Sequence, residues 1–152
     1  LNVIAILVVL VACVNLLDRL LALLPGWHGT PWTLEGLAGL VFMPLTWLMG
    51  VPWAEARLSG ELLGIKTVLN EFVAYLRLAD PAGIALSPRT RLITLYALCG
   101  FANFGSLGIQ VSGLGTLIPD RRADLQDLAL RSLIAATLAS LTSGALIGLI
   151  AR

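Results

Sequence analysis

The chain has 152 residues, of which 58% are hydrophobic and 12% charged, and its formal net charge is +1. A soluble core of this length cannot cover so many Leu, Val and Ile without long exposed apolar patches, so the composition excludes an ordinary soluble domain and predicts an all-α integral membrane protein. The near-neutral charge, with no basic patch interleaved with aromatics, also argues against a nucleic-acid partner and leaves the lipid bilayer as the surrounding medium.

Residues 1–24 form the first predicted span, roughly 36 Å long at 1.5 Å per residue, against a hydrocarbon core of about 30 Å. Asp18 and Arg19 approach an interface, and Pro25-Gly26 closes the span. No basic segment precedes the apolar run and no small-residue cleavage site follows it, so a signal peptide is not expected. A chain that opens on Leu1 without Met reads as lacking an N-terminal part. Cys13 here, and Cys99 later, read as small buried hydrophobes. The loop after Gly26 carries Trp27 and Trp32, which suit a headgroup anchor. His28 is the single histidine; no metal set or catalytic triad can be built around it, and it reads as an interfacial loop residue. Thr30-Pro31 reads as a helix cap followed by Pro at the first helical position. A second apolar stretch runs from Thr33 to Met49, barely long enough to span, with Glu35 at its start and a kink expected at Pro44. Residues 1–50 are thus predicted to hold two membrane spans, with a turn at Gly50-Val51-Pro52-Trp53.

Residues 51–80 break ordinary hydropathy. Ala54 to Leu69 is a moderately apolar helix carrying Glu55, Arg57, Glu61 and Lys66; Asn70-Glu71 interrupts it, Phe72 to Leu78 is short and apolar, and Asp80-Pro81 ends it. Two short helices around a polar tip predict a re-entrant helical hairpin, tolerated at depth only where it is buried in protein or lines a wet cavity. Ser87-Pro88 caps the next helix. Gly100, Gly105 and Gly108, with Asn103 and Ser106, weaken it at mid-span. Residues 88–115 therefore predict a discontinuous helix that resumes through Ile109 to Val111 and ends at Ser112-Gly113-Leu114-Gly115. Those glycines are no nucleotide fingerprint, because no strand precedes them. Residues 119–124 read as a polar loop, and residues 124–151 as a C-terminal span. Ala136, Ser140, Gly144 and Gly148 form a small-residue stripe along it, read as helix packing. If residues 51–80 enter and leave on one side, Arg121-Arg122 lie on the other, and the positive-inside rule places them in the cytoplasm, against Arg77, Arg89 and Arg91 opposite.

Glu71 is the one acid in a strongly apolar context. A charge there costs roughly 2.5–3.5 kcal/mol even on lenient insertion scales, which points to a substrate or ion path. Its ionised carboxylate only accepts hydrogen bonds, so hydroxyls, ammonium groups and cations are its natural ligands. The alternative is a structural ion pair with Lys66, although five residues do not align two side chains on one helical face. Asn103 and Ser106, three residues apart, would add donors and acceptors, and together with Glu71 would make a polar cluster able to bind a polyhydroxyl group such as a sugar. Phe101 and Phe104 would form apolar walls. Plain capping of a broken helix is the alternative for Asn103 and Ser106. A hydrolase with paired carboxylates would need a second buried acid, and the sequence offers none. Two interrupted segments are also what places a transporter's site near the midplane.

Three motifs then carry a resemblance. Gly64-Ile65-Lys66 followed by Asn70-Glu71-Phe72-Val73-Ala74-Tyr75 closely resembles the signature of concentrative nucleoside transporters. Ala97-Leu98-Cys99-Gly100-Phe101-Ala102-Asn103-Phe104-Gly105-Ser106 and Pro119-Asp120-Arg121-Arg122 are similar to further motifs of the family, in order and spacing, so that the resemblance covers essentially the whole chain. It implies the C-terminal half of a nucleoside:cation symporter with an inverted-repeat transporter fold, working as a homotrimer in the plasma or inner membrane by an elevator-like movement. It implies that Glu71, Asn103 and Ser106 contact the ribose and that Phe101 lies beside the substrate. It assigns residues 1–50 to the scaffold and residues 51–152 to the transport part. The family's first hairpin, with a Gly-Gln-Thr-Glu-like run, binds the nucleobase, and sodium, where used, binds next to it. That run is absent here, so the site for the coupling cation, Na+ or H+, is expected outside this chain, no other cofactor is expected, and the chain is not expected to transport alone. Two other classes remain at this point: a structural helical membrane subunit in which Glu71 and Lys66 pair, and an intramembrane enzyme, disfavoured by the missing second catalytic group.

Overall fold

A computed structural model describes residues 2–26, 31–80 and 85–151. The expectations for Trp27, His28, Thr30 and Pro81 fall outside these residues. Among the described residues the fold is entirely helical: α1 (Asn2–Leu21), α2 (Leu34–Leu48), α3 (Trp53–Val68), α4 (Glu71–Ala79), α5 (Pro88–Leu98), α6 (Phe104–Leu117), a 3-10 turn (Pro119–Arg121) and α7 (Arg122–Ile150).

Local chemistry explains most of the boundaries. Thr33 starts α2: its hydroxyl accepts the Gly36 N–H at 3.0 Å, and Asp18 reaches over from α1 to accept the Leu34 N–H at 2.8 Å. A carboxylate at a helix N-terminus is favoured by the helix dipole. Asp18 therefore works as a partner of α2 and does more than end the first span. Gly50 adopts φ +95°, a left-handed conformation that lets the chain reverse between α2 and α3. Asn70 caps α4 by accepting the Val73 N–H at 3.0 Å, and Ser87 caps α5 with Pro88 in the first turn. Ser87 is itself held by Glu55, which accepts from its hydroxyl at 2.9 Å.

Packing is closest between α2 and α3, across the boundary expected at residue 50. Glycines make that approach possible: a Cβ on Gly60 would lie 2.6 Å from the Gly39 carbonyl oxygen, and one on Gly64 would lie 2.7 Å from that of Glu35. Small residues spaced this way let helix backbones touch. Thr46 ties the pair by donating to the Ala56 carbonyl at 2.9 Å. With 15 residues, α2 is an apolar helix about 22 Å long, against a hydrocarbon core of about 30 Å. By contrast, the 32-residue stretch Pro119–Ile150 contains an 18-residue window of mean hydropathy 2.0, and is long and apolar enough to cross.

The core runs through Leu62 and Leu63 of α3 and Ile93 and Leu98 of α5, all essentially inaccessible. A buried Ser59–Thr94 hydrogen bond of 2.8 Å joins the same two helices. The small-residue stripe on α7 packs as expected: Gly144 faces Ala97 and Met49, and Gly148 leaves no room for a Cβ beside the Met49 carbonyl. Arg89, at the start of α5, donates to the carbonyls of Gly50, Gly148 (2.6 Å) and Ala151 (2.9 Å). One guanidinium thus satisfies backbone acceptors at the C-terminal ends of α2 and α7, where helix dipoles favour a cation.

Three expectations need correction. Cys13 and Cys99 are exposed, not buried; Cys13 lies on a helix largely uncovered by the rest of the chain, and Cys99 lies just past α5 where the chain turns outward. The helix after the break resumes at Phe104 and continues to Leu117, not only through residues 109–111, because Asn103 caps it immediately. The loop expected over residues 119–124 is a 3-10 turn that runs directly into α7 at Arg122.

Candidate functional site

The break between α5 and α6 comprises residues 99–103, and the interruption between α3 and α4 comprises Leu69 and Asn70. Both end on an Asn in extended backbone that caps the following helix. The N-termini of α4 and α6 are thereby brought face to face. Glu71 is the first residue of α4, and Asn103 is the cap of α6.

Asn103 uses both ends of its amide. Its Oδ1 accepts the Ser106 N–H at 2.7 Å, and its Nδ2 donates to Glu71 Oε2 at 2.9 Å. The second bond is charge-assisted, and its carboxylate sits at two helix N-termini whose dipoles favour negative charge. Ser106 completes a reciprocal capping box by accepting the Asn103 N–H at 3.2 Å. Its hydroxyl has the carbonyls of Asn103 (2.7 Å) and Phe101 (3.1 Å) within reach and can donate to one of them.

The four residues singled out from the sequence therefore stand in different relations to the site. Glu71, half-buried, and Asn103 touch each other. Ser106 is adjacent but only 4% exposed, with its polar atoms turned into the α6 cap. The capping alternative is thus realised for both Asn103 and Ser106, while Asn103 in addition reaches the carboxylate. Phe101 and Phe104 are 58% and 50% exposed and flank the break as uncovered aromatic faces. Among the described residues, Glu71 forms no ion pair with Lys66. The Lys66 ammonium, on a residue 2% exposed, instead donates to the Ala97 carbonyl at 3.1 Å. No cluster of metal-ligating side chains occurs among the described residues. Sequence reasoning missed Arg89 as a clamp, and it named Lys66 only as a salt-bridge candidate. Its being the single lysine of the sequence, four residues after Leu62 in the last turn of α3, was the available signal.

Chemically, the arrangement offers an acceptor-only carboxylate, a carboxamide held against it, and two aromatic faces. A ligand with adjacent hydroxyls can donate to Glu71 and exchange with Asn103.

A family model described as the Na+ dependent nucleoside transporter C-terminus matches residues 1–148. An uncharacterized transporter of Haemophilus influenzae is 42% identical over 98% of this chain and 37% of its own length. The putative nucleoside permease NupX of Escherichia coli is 44% identical over 81% of this chain and 30% of its own. Sodium/nucleoside cotransporter 1 of Mus musculus is 38% identical over 82% of this chain and 22% of its own. Among solved structures, a variant of CNTnw in an intermediate state superposes with a TM-score of 0.88 at 39% identity, over 98% of this chain and 38% of that one. CNTnw in an inward-facing substrate-bound state gives 0.82 at 38% identity, over 97% and 37%. The chain spans about 37% of the length of the first curated relatives it matches.

Proposed function

The chain belongs to the sodium-dependent nucleoside transporter family, as its C-terminal part, and from that premise we propose that it carries the ribose-binding half of a nucleoside:cation symporter's substrate site. It is an integral membrane protein of transport and not an enzyme. The observation that carries the proposal is the 2.9 Å bond between Asn103 and Glu71, which gathers two interrupted helices around one carboxylate. Ribose hydroxyls would donate to Glu71, the Asn103 carboxamide would bond the same sugar, and the exposed ring of Phe101 would lie against the substrate. Ser106 acts mainly by fixing the backbone that presents Asn103, and its hydroxyl contacts the ribose only if it gives up its capping bond.

In this reading α3 and α4 are the two arms of the re-entrant hairpin over residues 51–80, and α5 and α6 are the halves of the discontinuous helix. The α7 helix completes the transport part over residues 51–152, within half of an inverted-repeat fold. Residues 1–50 form the scaffold part of a homotrimer in the plasma or inner membrane, with α2 packed tightly against α3 across the boundary at residue 50. The nucleobase contacts and the Na+ or H+ site belong to segments outside this chain, which would not transport alone. Glu71→Gln in the full-length protein is expected to abolish nucleoside uptake while leaving membrane assembly intact. Normal uptake by that variant would sink the ribose role and favour a structural helical subunit.

A further inference from the structure

Lys66 is the buried charge that the ribose site does not use. It lies in the last turn of α3 and is 2% exposed. Its role follows from what the break leaves open at the end of α5, where the last carbonyls of a helix have no partner within it. The break's own amides take two of them: the Cys99 N–H donates to the Tyr96 carbonyl at 3.2 Å, and the Gly100 N–H to that of Leu98 at 2.8 Å. The hairpin takes two more. The Tyr75 hydroxyl donates to the Leu95 carbonyl at 3.3 Å, and the Lys66 ammonium to the Ala97 carbonyl at 3.1 Å. Among the described residues no backbone N–H reaches the Ala97 carbonyl, so the ammonium is its donor. The ammonium is also packed against the break: a Cβ on Gly100 would lie 3.6 Å from Nζ and would collide with Ser140 of α7.

Burying an ammonium costs several kcal/mol unless something compensates it. Lys66 makes no ion pair among the described residues. Helix ends supply the compensation instead. The C-terminal end of α5, whose carbonyl the ammonium bonds, is the negative end of a dipole, and the last turn of α3, which carries Lys66, likewise favours a cation. A desolvated positive charge on the free carbonyls of a half-helix C-terminus is what a coupling ion is in transporters with discontinuous helices. We propose that Lys66 is a tethered cation: its ammonium fills, at the C-terminal end of α5, the place a free monovalent coupling ion would take, so that this break holds no exchangeable ion. A free ion departs in each transport cycle, whereas an amine on the chain cannot. The break is thereby kept in one shape whether the transporter is loaded or empty, and it adds nothing to the ion stoichiometry. The inference does not rest on the ribose reading, because its readout is stability without nucleoside.

The test is chemical rescue in the full-length protein. Lys66→Ala removes the ammonium and opens its space beside the Ala97 carbonyl, whereas Lys66→Met removes the charge and fills the space. Unfolding by SDS from mixed micelles is followed while methylammonium chloride replaces N-methyl-D-glucamine chloride, at constant ionic strength and constant sodium. A cation that binds only the folded protein raises the midpoint as its concentration passes its dissociation constant. Wild type is expected not to respond. Lys66→Ala should unfold at lower SDS than wild type and recover most of that loss, saturably, in methylammonium. Lys66→Met should be destabilised without recovery. An alanine variant that unfolds like wild type overturns the proposal, as does one that responds to methylammonium no more than wild type or Lys66→Met. If Lys66→Ala does not assemble, Lys66→Gln decides, because its carboxamide can still donate to Ala97 but carries no charge. A midpoint equal to that of wild type would show that any donor suffices and would overturn the tethered cation; a lowered midpoint sustains it.

Discussion

Asn103 makes two bonds that can be removed separately. The Oδ1 cap on α6, 2.7 Å from the Ser106 N–H, is worth about 0.5–2 kcal/mol by comparison with other helix caps. The Nδ2 bond to Glu71, 2.9 Å long, has a charged acceptor and is worth about 1.5–3 kcal/mol. Asn103→Ser keeps a capping oxygen but is too short to bridge to Glu71, so it should lose only the second amount. Asn103→Ala loses both, about 2–5 kcal/mol. Asn103→Asp keeps the cap and sets a second carboxylate, at a buried position, against the half-buried Glu71, which removes the donor and adds like-charge repulsion. Unfolding of the purified full-length protein from mixed micelles with SDS should order the set as wild type, then Ser, then Ala, with Asp below Ser. Nucleoside affinity should fall more steeply than stability in Asp, since the donor facing the sugar is gone. The two-role account is refuted if Ser and Ala unfold together, which would remove the cap, or if Ser matches wild type, which would remove the tie to Glu71.

Two further outcomes follow from the packing. Arg89→Met strips donors from the carbonyls of Gly50, Gly148 and Ala151, and after discounting the exposed Gly50 bond should cost about 2–4 kcal/mol, with Arg89→Lys recovering only part; the same SDS titration would expose an error if Met were neutral. Gly108 sits inside α6 with nothing near its would-be Cβ, so Gly108→Ala should stabilise by about 0.4–1 kcal/mol, whereas Gly64→Ala should destabilise by about 1–3 kcal/mol because its Cβ meets the α2 backbone. Identical thermal-unfolding shifts for the two alanines would contradict the α2–α3 contact geometry.

What could be read without coordinates was the part written in short-range chemistry. Ser87-Pro88 marks a helix start that the structure confirms, and Asn70 and Asn103 start α4 and α6 through bonds of the same i to i+3 kind. The boundary after the break was misjudged because glycines were weighed as helix breakers. Gly105 and Gly108 sit within α6, and the capping box at its first turn outweighs their propensity cost. Features that depend on distant partners were not legible. The packing role of Gly60 and Gly64 is not visible until α2 lies across them, and Arg89 resembles any arginine in a first helical turn until the ends of α2 and α7 converge on it. Cys99 failed for the same reason in reverse: an apolar neighbourhood along the chain did not mean cover in space.

The Arg89 clamp also bears on the order in which the protein can be built. Its acceptors lie 39 residues before it and 59 and 62 residues after it. During synthesis the guanidinium therefore emerges long before two of its three carbonyls exist. Until α7 is made, Arg89 can hold the turn at Gly50 but must keep its remaining donors solvated, which favours leaving the start of α5 at the water interface. Closing the clamp is a late, long-range event of the kind that slows folding. Completion of α7 is then the step that commits the segments ahead of it to their final depth.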